Sequence, residues 1–271
     1  MFKYFFITNN PDIALIAEKA GIDRVWIDLE VLGKEERQKG LNTVKSKHSI
    51  EDIGLVSSVL TKSKLMVRIN PWNDNSKNEI ENVIKSGAQI IMLPYWKTKS
   101  EVQQFIKYVN GRVTTNLLLE TKEAVECIDD VLKIDGIDEI HIGLNDLGIS
   151  YGSSYMFEPY ANGLLETLAS RFINNNISFG VGGIGKIGSS LTPTPEQFLA
   201  EQYRIGSTAT ILSRSFCNVI GLSNREVEEI LCKNVKILRI KERNICKMTK
   251  DQLNKNHNNI VCIINSIMKK G

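Results

Sequence analysis

The chain has 271 residues, 42% apolar and 24% charged, enough to bury a large core as one domain or two small ones. Its 34 basic and 31 acidic side chains leave a formal net charge of +3, too balanced to argue for a nucleic-acid partner, and no apolar run nears the ~18 residues that suggest a membrane span. Five scattered cysteines without a CxxC pair speak against a disulfide framework or zinc knuckle, and "MFKYFFITNNPD" lacks a signal-peptide core, so a soluble cytoplasmic protein is expected.

From the N-terminus, the β-rich run "KYFFIT" (3–8) is followed by the helical pattern "PDIALIAEKAG". "RVWIDLE" (24–30) leads through a long connection to "SIEDIGLVSSVL", and "KLMVRIN" (64–70) to "KNEIENVIKSG". "QIIMLPY" (89–95) precedes "SEVQQFIKYVNG", and "VTTNLLLE" (113–120) precedes "TKEAVECIDDVLKI". "EIHIGLND" (139–146) and "ISFGVGGI" (177–184) flank "ANGLLETLASRFI", then "PEQFLAEQYRIG" leads to the eighth run, "TATILSRSF" (208–216). Ser49 before Asp52, and Ser100 beside Glu101, read as helix caps. Eight near-continuous apolar strands, most followed by a helix, predict an α/β fold, a (β/α)8 TIM barrel whose strands are buried on both faces. The rival is an open doubly wound sheet, but its glycine fingerprint is missing from the first turn, "ITNNPD", and "GVGGIGKIG" lies late and off the GxGxxG spacing. Residues 1–224 are therefore assigned to the barrel. Residues 225–271 read as C-terminal helices, part of the same domain or docking on a neighbouring subunit.

In such a barrel the carboxyl ends of the strands form one rim, where chemistry sits. The run ends supply Asp28 and Glu30, Arg68, Glu120, Asn145 with Asp146, and Arg214. Runs five and six are neighbours if consecutive strands pair, so Glu120 and Asp146 are expected to converge. Two converged carboxylates repel unless a cation or a proton joins them. A hard divalent ion such as Mg²⁺, or Mn²⁺ or Co²⁺, suits an oxygen-rich site without a His or Cys cluster. Arg68 is placed to stabilise negative charge on a substrate oxygen.

The segments "GIDRVWIDLE", "VRINPWND", "SGAQIIMLP" and "LLLETKEAVECIDDVLKIDGIDEIHIGLNDLG" resemble the HpcH/HpaI aldolase and citrate lyase β-subunit superfamily over roughly residues 20–216. The resemblance implies a barrel that binds a divalent metal through the Glu of an E-T motif and the Asp of a G-x-x-D-L motif, here Glu120 and Asp146. It implies a pyruvate-type keto acid chelating that metal, with backbone N–H groups of Asn145 and Asp146 holding its carboxylate and Arg68 steadying the enolate. It further implies a homo-oligomer, a trimer or hexamer that exchanges its last helices.

The aldolase branch carries a histidine after the strand-two acid and an aspartate before "GAQ". Val31 and Lys85 stand there instead. "DLEVLGKEER" looks like the citrate-lyase branch, with Lys34 and Arg37 at a similar spacing and available for an acidic substrate arm. His48, in the long connection after run two, is a candidate general base; Glu30 or a metal-bound water is the competing one. His141 reads as structural, His257 as part of a solvated loop, and Trp72, Tyr95 and Trp96 as packing. The expected function is a metal-dependent carbon–carbon lyase or aldolase working through a pyruvate-type enolate. The rivals are a citrate-lyase-like enzyme cleaving an acyl-CoA thioester, an enzyme of phosphoenolpyruvate or a sugar acid, and a keto-acid-binding barrel without turnover.

Overall fold

Strands β1 (Lys3–Ile7), β2 (Arg24–Asp28), β3 (Lys64–Arg68), β4 (Ile90–Leu93), β5 (Thr114–Leu119), β6 (Glu139–Ile142), β7 (Ser178–Ile184) and β8 (Ala209–Leu212) pair in chain order. All pairings are parallel and β8 returns to β1, which closes the barrel. This is a computed structural model, and it describes residues 1–34 and 47–269. Around the barrel lie α1 (Pro11–Ala20), α2 (Ile50–Val59), α3 (Ser76–Lys85), α4 (Lys99–Val109), α5 (Lys122–Glu126) and α6 (Ile128–Val131). They are followed by α7 (Leu144–Tyr151), a short 3₁₀ turn (Glu158–Tyr160), α8 (Leu164–Asn174), α9 (Pro195–Arg204), α10 (Asn224–Ile245) and α11 (Lys250–Met268).

The period of two along each strand sorts its apolar residues between two cores. Phe5, Trp26, Met66, Ile90, Met92 and Leu118 point into the barrel. Their chain neighbours Val25, Ile27, Val67, Ile91, Leu117 and Leu119 face the helix layer. At the amino end of the barrel, Arg24 grips both oxygens of Glu139 at 2.5 and 2.6 Å, with Lys3 Nζ at 2.8 Å. His141 is fully buried one layer higher. Its Nε2 lies 2.9 Å from the Gly182 carbonyl oxygen, and its ring occupies the space a side chain at Gly180 would need. That contact falls where β7 shifts register, between Gly180 and Gly183.

Helix ends follow their cap chemistry. Asn10 accepts from the Asp12 and Ile13 amides ahead of α1, and Gly21 closes that helix at φ 93°. Ser49 and Asp52 form a capping box on α2. Three expectations need correction. The cap of α4 is Thr98, boxed with Glu101, and Ser100 already lies in the first turn. The sixth strand ends at Ile142, so Asn145 and Asp146 belong to the first turn of α7, whose Leu144, Leu147 and Gly148 are buried at helical spacing. His257 lies on α11, not in a loop, because Leu253, Ile260 and Ile264 give that polar stretch a buried stripe.

The C-terminal helices pack on the chain's own barrel. α10 lies between α1 and α9, and α11 lies over α9 and the 3₁₀ turn. Glu242 of α10 is buried, accepting from the Phe2 amide at 2.6 Å and the Tyr4 hydroxyl at 3.1 Å. Arg239 reaches Asp23 at 2.6 Å while its guanidinium stacks 4.2 Å from the Tyr4 ring centroid.

Candidate active site

β2 and β3 run in register, with Asp28 opposite Arg68, so both side chains enter the barrel at its carboxyl end. Arg68 donates from Nε and Nη2 to the two Asp28 oxygens, each at 2.8 Å, and Nη2 lies 3.2 Å from Glu30 Oε2. Lys34 Nζ sits 2.8 Å from Asp28 and 3.5 Å from Glu30. All four side chains are largely withdrawn from water. Burial by itself would raise the Asp28 carboxyl, but Arg68 and Lys34 outweigh it and hold the group well below the usual carboxylate range. Burial opposes charge on Arg68 too, and Asp28 and Glu30 reverse that, holding the guanidinium above its ordinary value. Its plane stacks on Trp26, 4.8 Å from the ring centroid.

His48 lies behind this quartet. Its Nδ1 accepts from the Asp28 backbone N–H at 3.0 Å, and burial depresses the imidazole against the opposing pull of Asp28 and Asp52. The neutral ring then carries its proton on Nε2, with its lone pair committed to the backbone. Of the remaining candidates on that connection, Arg37 lies outside the described residues.

Glu120 follows β5 directly. The Tyr95 backbone N–H donates to its Oε1 at 3.0 Å, and its Oε2 lies over Gly143, where a Cβ would approach to 2.7 Å. Asp146 projects from the first turn of α7, its Oδ1 accepting from the Asn145 side-chain amide at 2.9 Å. Glu120, Asn145, Asp146 and Arg68 line one cavity of about 200 Å³ at the carboxyl end of the strands. Trp26, Leu118, Leu144, Met156 and Ile211 form its apolar wall. No side chain caps the α7 N-terminus at Gly143, so backbone N–H groups of that first turn present positive dipole ends at the cavity.

Other candidates fall elsewhere. Glu30 and Lys34 stand beside Arg68 and outside the cavity lining, as does His48. Trp72 stacks on Tyr108 and Trp96 is fully buried. A larger cleft, about 640 Å³, opens at the amino ends of β4 and β5, but Arg112 there is paired with Glu81, and Asp138 accepts from Thr115. Among the described residues one cluster has three side chains of metal-ligating type within reach of each other: Glu166, Glu201 and His257, on the outer helices. Arg204 Nη2 already sits 2.5 Å from Glu166 and 2.6 Å from Glu201, so the cluster is an ion-pair network.

Sequence reasoning gave Trp26, Gly143 and Met156 no role. The alternation of "RVWID" puts Trp26 on the same face as Asp28, so its position was readable. Met156 reaches the cavity through a loop, which carries no periodic signal.

The barrel with an acidic pocket at its carboxyl rim defines a (β/α)8 protein of the type that places chemistry at that end. The family model for HpcH/HpaI aldolase/citrate lyase matches residues 2–162, more than half of the chain, and the chain belongs to that family. Its curated relatives include the hydroxypyruvate/pyruvate aldolase of Sagittula stellata, 24% identical over 110 residues, covering 30% of this chain and 43% of that protein. A second, from Rhizorhabdus wittichii, is 26% identical over 141 residues, covering 40% of this chain and 55% of that one. The matched part thus spans about half the length of these relatives. The HpcH/HpaI aldolase structure from Desulfitobacterium hafniense superposes with a TM-score of 0.60 at 15% identity, over 88% of this chain and 93% of that one, a likeness of fold.

Proposed function

We propose that this protein is a divalent-metal-dependent carbon–carbon lyase or aldolase acting through a pyruvate-type enolate on a 2-keto acid. The observation that carries the reading is that two carboxylates, Glu120 just after β5 and Asp146 in the first turn of α7, face one small cavity with Arg68 at its edge. The donor set fits Mg²⁺, Mn²⁺ or Co²⁺. It consists of oxygens, since the one imidazole in the lining, His141, gives its Nε2 to the Gly182 carbonyl and turns its Nδ1 against Gly180. Gly143 leaves room for the second Glu120 oxygen. Glu120 and Asp146 would hold the ion, which as a Lewis acid lowers the energy of negative charge on the keto oxygen.

The chain's own groups do the rest. Amides in the first turn of α7, at Asn145 and Asp146, orient the substrate carboxylate. Arg68 cannot swing, because Asp28 holds two of its nitrogens and Glu30 a third contact; its fixed charge stabilises developing negative charge without reorganisation. Glu30 holds that charge in place, Lys34 is tied up as the counter-ion of Asp28 and Glu30, and Arg37 is the candidate for an acidic substrate arm. His48 keeps its Nδ1 lone pair on the Asp28 amide, so in that pose it offers an Nε2–H hydrogen bond and not a free base. The apolar wall of Trp26, Leu118 and Ile211 excludes water from the reacting carbon. The names of the curated relatives support a pyruvate-type donor.

The test is exchange of pyruvate methyl protons in D₂O with Mg²⁺ or Mn²⁺, followed by NMR. Exchange is expected with the wild type and should fall to background in Glu120→Gln and Asp146→Asn. A His48→Ala variant that exchanges normally would remove His48 from proton transfer. Absence of exchange with every metal would overturn the enolate reading.

A further inference from the structure

The reading above needs the Glu120 carboxylate to be held in one orientation, and three features of this chain converge on it. Tyr95 has φ 51°, a left-handed conformation that a bulky aromatic residue rarely adopts. That conformation points the Tyr95 N–H at Glu120 Oε1. The next carbonyl along, Trp96 O, accepts from the Thr121 hydroxyl at 2.9 Å, and Thr121 is fully buried. The same hydroxyl oxygen accepts from the Ala124 amide at 3.1 Å, capping α5. The turn after β4 and the Glu-Thr pair after β5 are therefore stapled twice, once in each direction. On the other side, Gly143 is the only kind of residue that leaves the second oxygen in place, since an added Cβ would come within 2.7 Å of Oε2 and 3.0 Å of the Glu120 Cβ.

We propose that Thr121 and the strained Tyr95 turn are positioning residues that preset the Glu120 carboxylate, with the Tyr95 amide fixing one oxygen and the Thr121 hydroxyl clamping the turn that carries the amide. The proposal rests on Glu120 being a metal ligand for its consequence, but the clamp itself is a property of the protein alone. A pair in which threonine follows the glutamate then has a reason: the hydroxyl holds the neighbouring turn, and the carboxylate would hold the ion.

The test compares Thr121→Val, which keeps the shape and loses the hydroxyl, with Thr121→Ser, which keeps the hydroxyl. Thr249→Val removes the N-cap of α11, far from the site, and serves as the control for a lost cap. The first readout is the amide proton of Tyr95 in the protein without metal, by NMR shift and hydrogen exchange. The second is Mn²⁺ affinity, from the free-ion signal in electron paramagnetic resonance. In Thr121→Val the Tyr95 amide should move upfield and lose its protection, and Mn²⁺ affinity should fall by about tenfold or more, the usual effect of losing a group that orients a ligand. Thr121→Ser and Thr249→Val should keep both within about twofold of the wild type on that scale. A Thr121→Val protein with an unmoved Tyr95 amide overturns the proposal. If the wild type binds no Mn²⁺, the metal reading falls, and the amide readout still decides the clamp. Should Thr121→Val fail to fold, Gly143→Ala decides: the collision at Oε2 must displace the carboxylate and shift the Tyr95 amide, and an unshifted amide there is equally fatal.

Discussion

Arg68 and Lys34 each touch both Asp28 and Glu30, and Arg24 and Lys3 share Glu139 at the other end of the barrel. Charges inside a barrel survive only when paired, because the cost of withdrawing them from water is otherwise uncompensated. Single residues here also set how stability responds to acid. Burial would raise Glu139, but Arg24 and Lys3 outweigh it and bring the carboxyl from 4.5 down to about 2. Its contribution is present above the unfolded value and is lost as pH falls towards about 2. Burial pushes the His141 imidazole down to about 4 from 6.5, although the Gly182 carbonyl opposes the shift. The unfolded chain therefore takes up that proton first, and stability declines as pH falls from 6.5 towards 4. Urea unfolding at pH 7, 5 and 3 should show a steady loss. His141→Gln should flatten the upper part of it and Glu139→Gln the lower. A variant that keeps the full acid slope would show that its residue does not titrate as described.

At the level of elements, all eight strands were legible, because a parallel barrel needs apolar residues on both faces and writes each strand as a short continuous run. The boundaries were less so. The run "EIHIGLND" continues past the end of β6 because Leu144 is buried both as a strand residue would be and as the first residue of a helix, and only the backbone turn at Gly143 separates the two. "TKEAVECIDDVLKI" has one helical pattern but forms two short helices that meet at Cys127. For the same reason the site was half readable. Glu120, Arg68 and Asp28 follow from strand ends, whereas the Tyr95 amide and the Gly143 slot depend on backbone direction, which residue type does not encode. The tail illustrates how polar residues tie an element to the barrel: beside Arg239, Glu242 on α10 answers the Phe2 amide just before β1 and the Tyr4 hydroxyl on β1. Glu242→Ala would leave those donors buried without partners, and a loss of about 2–4 kcal/mol in urea unfolding is expected. A loss near zero would mean that water replaces the carboxylate.

Across the described residues, seven of the twelve exposed large apolar side chains lie in the segments that follow the carboxyl ends of strands. Val31 and Leu32 follow β2, Ile149, Tyr151 and Met156 follow β6, Leu191 follows β7 and Ile220 follows β8. Surface of this kind is commonly covered by another subunit. A homo-oligomer, trimer or hexamer, is expected, with light scattering after gel filtration giving a multiple of 30.5 kDa; a monomer at micromolar concentration would remove that expectation. No helix among the described residues is long and apolar enough to cross a membrane. By itself the sequence determined the barrel, the order of its strands and the identity of the acids at its rim, because periodic burial and strand ends are local properties of the chain. Only the tertiary structure decided which charges are already spoken for. It locked Arg68 and Lys34 between Asp28 and Glu30 and turned His48 towards a backbone amide. Those outcomes depend on which side chains and backbone groups pair across the rim, and hydrogen-bond partners far apart in the chain leave no pattern along it.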